Sequence, residues 1–179
     1  MKVLFVTSEH PDFLYSGLGT FTRDYVCELK KYCDVFCVYF HLSGGIKPLP
    51  NDIVDLVLEP KVVFNTFTSD AKSLEVASSL RASLNSVIDN FKPDVIHCND
   101  WQTALIHIYL NAFYKFNELY SNMKTVFTIH NIQYQGKYGM ELYNDLLGLL
   151  PGRESLVEYD GCVNLMKGAV QCADKVTTV

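Results

Sequence analysis

Three polar clusters in the chain each sit at the end of an apolar run. Glu9 to Gly19 follows "KVLFVTS", His97, Asn99 and Asp100 close "DVIHCND", and His130 with Asn131 ends "KTVFTIHN". In the first cluster the loop "YSGLGTF" places Gly17 and Gly19 directly before a helical pattern. Backbone without Cβ turns sharply there and can aim N–H groups at an anion such as a sugar diphosphate. A tight strand-to-helix turn with no ligand reads the same way, and the loop lacks the G-x-G-x-x-G spacing of a dinucleotide site. Asp100 precedes another helical pattern and suits an N-cap, a ligand contact or both. Trp101, the single tryptophan, reads as a core anchor for that helix or as a stacking surface for a sugar. His130 reads as a core imidazole or as a site residue.

The elements that must position these groups are legible from periodicity. Continuous apolar, β-branched runs mark strands at Lys2 to Ser8, Asp34 to Phe40, Asp94 to Cys98, Lys124 to His130 and in "KVTTV". Helical spacing predicts one helix from an N-cap at Thr20 through Phe21, Tyr25, Leu29 and Tyr32, and a second over Ser69 to Phe91, closed by Pro93. Two more cover "WQTALIHIYLNAFYKF" and "NLMKGAVQCA". Within the former, Thr103, His107, Asn111 and Lys115 recur every fourth residue and are expected to form its solvated face. The Gly44, Gly45, Pro48, Pro50 cluster marks a surface loop, and Ile53 to Phe67 carries a weak strand pattern.

Strands alternating with helices predict an α/β fold: a Rossmann-like, doubly wound, mostly parallel sheet with helices on both faces. Such sheets bind ligands at the carboxyl ends of their strands. All three polar clusters are therefore expected to face one crevice.

Composition narrows the partners. With 179 residues, 49% hydrophobic and 20% charged, the chain fits one domain. Lys plus Arg number 15 against 20 Asp plus Glu, a net charge of −5, with no basic block for nucleic acid. No segment offers the run of about 18 apolar residues that a membrane span needs, nor a secretory leader, so the expectation is a cytoplasmic protein away from membranes. Cys27, Cys33, Cys37, Cys98, Cys162 and Cys172 form no C-x-x-C pair and read as structural thiols rather than metal ligands or disulfides. His10 and His41 carry no chemistry of their own. The sequence stops at Val179 inside an apparent strand, which suggests a fragment.

These residues resemble a known family. "KVLFVTSE" with "SGLG", "DVIHCNDWQTALI", "KTVFTIHNIQYQGKY" and "NLMKGAVQCADKVTTV" are similar, in order, to blocks of the bacterial, archaeal and plant glycogen and starch synthases, retaining glucosyltransferases of the GT-B type. The resemblance implies that residues 1–179 form a single N-terminal, acceptor-side Rossmann-like domain, inactive alone, with a C-terminal nucleotide-binding domain of the same enzyme as its partner. It implies transfer of glucose from a nucleotide sugar, usually ADP-glucose, to the non-reducing end of an α-1,4-glucan, with retention and without a metal ion or other cofactor. On the same ground His130 and Asp100 take the catalytic positions beside the transferred glucose. Ser16, Gly17 and Leu18 lie near the donor diphosphate, and Glu9, Trp101 and Asn131 line the acceptor side. Convergent carboxylate, amide and imidazole groups suit a hydroxyl-rich sugar and an oxocarbenium-like transition state. The family loop reads Lys-x-Gly-Gly-Leu, whereas Leu14 stands here in place of the lysine. Two other expectations stand beside this one: another retaining GT-B transferase with a different acceptor, and a non-catalytic sugar-binding module.

Overall fold

The computed structural model describes residues 1–12, 16–41, 47–59 and 83–179. Its strands are β1 (Lys2–Thr7), β2 (Asp34–Phe40), β3 (Leu56–Leu58), β4 (Val95–Asn99), β5 (Lys124–Ile129), β6 (Lys137–Tyr138), β7 (Glu158–Tyr159), β8 (Cys162–Asn164) and β9 (Lys175–Thr178). The helices are α1 (Gly17–Leu29), α2 (83–91), α3 (Ala104–Tyr109), α4 (Glu118–Ser121) and α5 (Leu165–Cys172). Six strands form one parallel sheet in the order β3-β2-β1-β4-β5-β9. The chain leaves β1 toward β2 and β3 on one side, then returns to β4 on the other. The order therefore reverses between β1 and β4, which is where an open α/β sheet leaves a ligand crevice.

Alternation along β1 divides the core between the two faces. Leu4 and Val6 join Val38, Ile96, Cys98 and Phe127 under α3 and α5, with Ile88 of α2. Val3 and Phe5 join Val35, Cys37, Tyr39 and Val57 against Val26 of α1. Helices thus cover both faces, as the sequence predicts, because the central strands β1 and β2 carry apolar residues on both sides. Cys37 and Cys98 are buried in this packing, and burial pushes both thiols up, Cys37 to about 12. Asp174 pins the start of β5 beside β9: its carboxylate accepts from the Thr125 N–H at 2.8 Å and the Thr125 hydroxyl at 3.0 Å. No helix among the described residues is long and apolar enough to cross a membrane.

Several local expectations change. Ser16, not Thr20, is the N-cap of α1; its hydroxyl accepts from the Leu18 N–H at 3.2 Å, so Thr20 lies inside the helix. The long helix expected after Asp100 is instead a 3-10 turn (Trp101–Thr103), α3, and a π-helical turn (Leu110–Tyr114), with Asn117 capping α4. Its supposed solvated stripe is buried at one end. Thr103 and His107 are buried, and only Lys115 is exposed. The Thr103 hydroxyl is satisfied by the Asn99 and Asp100 carbonyls, and the His107 ring sits edge-on to Phe127 at 5.4 Å. The weak strand pattern yields β3, and residues 60–67 lie outside the described residues, as do Gly44, Gly45 and the first part of the helix expected over Ser69 to Phe91.

A small antiparallel sheet, β6-β8-β7, packs beside the main one. Gly136 leads into it with φ +64°, and a Cβ there would meet Trp101 Cε3 at 2.5 Å and Leu165 Cβ at 3.2 Å. Gly136→Ala therefore adds both left-handed strain and a clash. We expect a loss of about 2–4 kcal/mol in urea unfolding and a shift in the emission of Trp101; unchanged values for both would contradict this packing.

Candidate functional site

Loops from β1, β4 and β5 meet above the β1/β4 crevice. They enclose, with the first turns of α1, a cavity of about 640 Å³ lined by Ser16, Gly17, Leu18, Thr20, Phe21, Asp24, Tyr25, Asp100, His130, Asn131 and Val179. The expected convergence of Gly17, Asp100 and His130 is met.

Asp100 follows β4 directly and adopts φ 58°. Its N–H donates to the Thr128 carbonyl at 2.9 Å, tying the turn to β5. The positive φ swings its carboxylate away from the next helical turn, so it makes no capping bond there. Instead Oδ1 accepts from two successive amides at the exit of β5, His130 N–H at 2.8 Å and Asn131 N–H at 3.3 Å. The N-cap reading is thereby replaced by a clamp across two strand ends, and the side chain is only 8% exposed. Burial raises the Asp100 carboxyl above its ordinary range, against the pull of those amides.

His130 is held from three directions. Its Nε2 lies 2.9 Å from Asn99 Oδ1, its backbone is clamped by Asp100, and its ring packs edge-on to Phe21 at 4.7 Å. Burial lowers its pKa, opposed by the charges of Asp100 and Glu9. The imidazole is accordingly neutral at pH 7.

The glycine loop is less open to an anion than its composition suggests. Ser16 Oγ occupies the Leu18 N–H, and Glu9 Oε2 accepts from the Gly19 N–H at 2.5 Å. A carboxylate of the chain itself therefore sits where a helix N-terminus favours negative charge. Glu9 is not among the residues that line the cavity. No lysine or arginine lines the cavity among the described residues, while Asp24 and Asp100 do. Leu14 lies outside the described residues.

Trp101 serves as a core anchor and also borders open space. It packs on Gly136 and against Tyr138, with ring centroids 6.2 Å apart, and it lines a neighbouring groove of about 500 Å³ with Gln133, Tyr134, Gln135, Gly136, Lys137 and Tyr138. Asn131 lines the main cavity, and its Oδ1 accepts from the Gln133 N–H at 3.0 Å.

His97 does not reach the crevice. It lies within β4, turned toward α1, edge-on to Phe5 and Tyr25, with Nε2 2.7 Å from Thr128 Oγ1, itself 2.7 Å from Thr177 Oγ1. Residues not singled out by sequence line the site as well: Phe21, Asp24 and Tyr25. Their three- and four-residue spacing after the Gly17 loop puts them on the face of α1 that looks at the strand ends, a signal available in "GLGTFTRDY".

Comparison with known proteins agrees with this fold. A family model described as starch synthase catalytic domain matches residues 46–179. A glycogen synthase of Desulfitobacterium hafniense is 50% identical over 103 residues, covering 55% of this chain and 22% of that protein. The glycogen synthase of Desulforamulus reducens is 32% identical over an alignment of 217 residues that takes in 100% of this chain and 45% of that protein. The chain thus spans less than half the length of these relatives. In fold it is similar to the catalytic domain of starch synthase IV from Arabidopsis thaliana bound to ADP and acarbose, with a TM-score of 0.70 and 22% identity over 99% of this chain and 44% of that one. With three quarters of its length inside the family match, and that sheet and cavity in place, the chain belongs to the starch synthase catalytic domain family.

Proposed function

We propose that residues 1–179 are the N-terminal, acceptor-side half of a glycogen or starch synthase. That enzyme transfers glucose from a nucleotide sugar, ADP-glucose, to the non-reducing end of an α-1,4-glucan with retention of configuration. The observation that carries this reading is the meeting of Gly17, Asp100, His130 and Asn131 in one cavity at the sheet's switch point. The glycogen synthase relatives and the ADP- and acarbose-bound fold neighbour support it.

The chemistry follows from the groups present. Backbone and side-chain dipoles around His130, and the negative charge of Asp100, favour the positive character that builds on a glucosyl ring as its bond to the diphosphate lengthens. Ser16, Gly17 and Leu18 face the donor diphosphate in this reading, and Trp101 and Asn131 face the glucan, while Glu9, placed on the acceptor side by the family resemblance, acts through its bond to the Gly19 N–H. Positive charge for the departing diphosphate is lacking in the described cavity. It comes from a second, C-terminal domain, and this half alone does not turn over.

The test is an assay of the complete protein with ADP-glucose or UDP-glucose and a maltooligosaccharide. Release of ADP with elongation by α-1,4-linked glucose is the expected result, and transfer only to a different acceptor, or no transfer, would overturn the reading. Gly17 offers a finer check. A Cβ at Gly17 would touch no protein atom within 4 Å, so Gly17→Ala is expected to leave the melting temperature unchanged. In the assay the added methyl enters the space assigned to the donor and is expected to raise the KM for the nucleotide sugar about tenfold.

A further inference from the structure

Asn99, the last residue of β4, is fully buried, and both ends of its amide are committed. Its Nδ2 donates to the Val6 carbonyl of β1 at 3.0 Å. A flipped amide would set Oδ1 against that carbonyl oxygen, so the orientation is fixed by the neighbouring strand. Oδ1 must then face His130 Nε2 at 2.9 Å, and two acceptors cannot share that contact. Hence Nε2 carries the ring proton. A neutral imidazole has one N–H, so Nδ1 is left with its lone pair and has no partner among the described residues, in a residue that lines the cavity.

We infer that Asn99 is a positioning residue: through Val6 it locks His130 in the Nε2–H tautomer, so that the ring offers a hydrogen-bond acceptor, which a sugar hydroxyl satisfies by donating and a carbonyl or ether oxygen cannot. The inference rests on the proposed transfer reaction for its ligand, but not for the tautomer itself. The charged or titratable groups around the ring are Asp100 and Glu9, whose charges favour its protonation, and His97, with which it shares a repulsive interaction. Burial outweighs the two carboxylates and keeps the ring neutral. Protonation at Nδ1 would convert the acceptor into a donor and remove the match to the hydroxyl.

Two measurements on the complete protein decide it. The first is a long-range 1H–15N spectrum of 15N-histidine-labelled protein at pH 7.5, with the His130 signal assigned by its loss in His130→Gln. A protonated Nε2 with a pyridine-like Nδ1 is expected, whereas the Nδ1–H tautomer, or rapid averaging of the two, overturns the proposal. The second is the pH profile of kcat/KM in Asn99→Asp. A carboxylate opposite Nε2 favours the imidazolium, so the acid limb is expected to move about one pH unit upward, with the KM for glucan changed less than kcat. A folded Asn99→Asp protein whose acid limb stays in place would overturn the proposal. If that variant fails to fold, the wild-type spectrum decides alone. Because the spectrum needs no turnover, a protein that transfers no glucose yet shows the Nε2–H tautomer would refute the proposed reaction and leave the positioning role standing.

Discussion

Asp100→Ala is expected to lower kcat/KM of the complete protein in the proposed glucosyl transfer by about a hundred- to a thousandfold and also to weaken the fold. The carboxylate accepts from the His130 and Asn131 amides. Leaving those part-buried donors unpaired costs about 1–3 kcal/mol each, and alanine at φ 58° adds strain that aspartate tolerates better. Asp100→Asn separates the two effects. An amide oxygen can keep the clamp and asparagine accepts a positive φ, so urea unfolding should stay within about 1 kcal/mol of wild type. Only the negative charge that the proposed reaction sets beside the sugar is lost, and kcat should still fall at least about tenfold with little change in KM. Full turnover in Asp100→Asn would mean that the carboxylate shapes the strand ends and nothing more.

Acid should destabilise the fold through two buried histidines. Burial lowers both His97 and His107 to about 4. Each is neutral in the folded chain down to that pH, whereas in the unfolded chain it gains a proton as pH falls through about 6.5. The unfolded state then binds more protons, so stability declines as pH falls from about 6.5 to about 4 and is fully retained above that window. By pH 5 the loss amounts to about 2 kcal/mol for each imidazole, a large share of the 5–15 kcal/mol typical of a domain. Neither ring nitrogen of His107 has a hydrogen-bond partner among the described residues, so His107→Leu sacrifices no such bond. Urea denaturation at pH 7 and pH 5 should show that the variant has lost about half of the acid sensitivity. An unchanged dependence on pH would assign the effect elsewhere.

The sheet was readable because its central strands are buried on both faces. Runs such as Val3 to Val6 and Val35 to Val38 have no polar residue to disguise them, and Glu9, Asp100 and His130 stand at or just past the ends of three such strands. The convergence of Gly17, Asp100 and His130 at one cavity was readable from the polar groups at the ends of covered strands. Contacts that need the third dimension were not readable. The positive φ of Asp100 turns its carboxylate from the helix it precedes to the neighbouring strand, and no residue spacing reports that. His107 shares a four-residue period with Thr103 and Lys115 that marks a solvated face in most helices, yet α3 is covered by the sheet on one side and α5 on the other, and one end of the stripe goes inward. The two- and three-residue strands β6, β7 and β8 are too short to show any period. Asn99 could be placed near the crevice, but its bond to His130 depends on the register of β4 against β1 and β5.

The most direct test of the common sugar site is a crystal structure of the complete protein soaked with a non-transferable ADP-glucose analogue and maltotriose. Glucosyl density enclosed by Gly17, Asp100 and His130, with the glucan running toward Trp101, is the expected result. Both ligands bound elsewhere, with that space left to solvent, would contradict it.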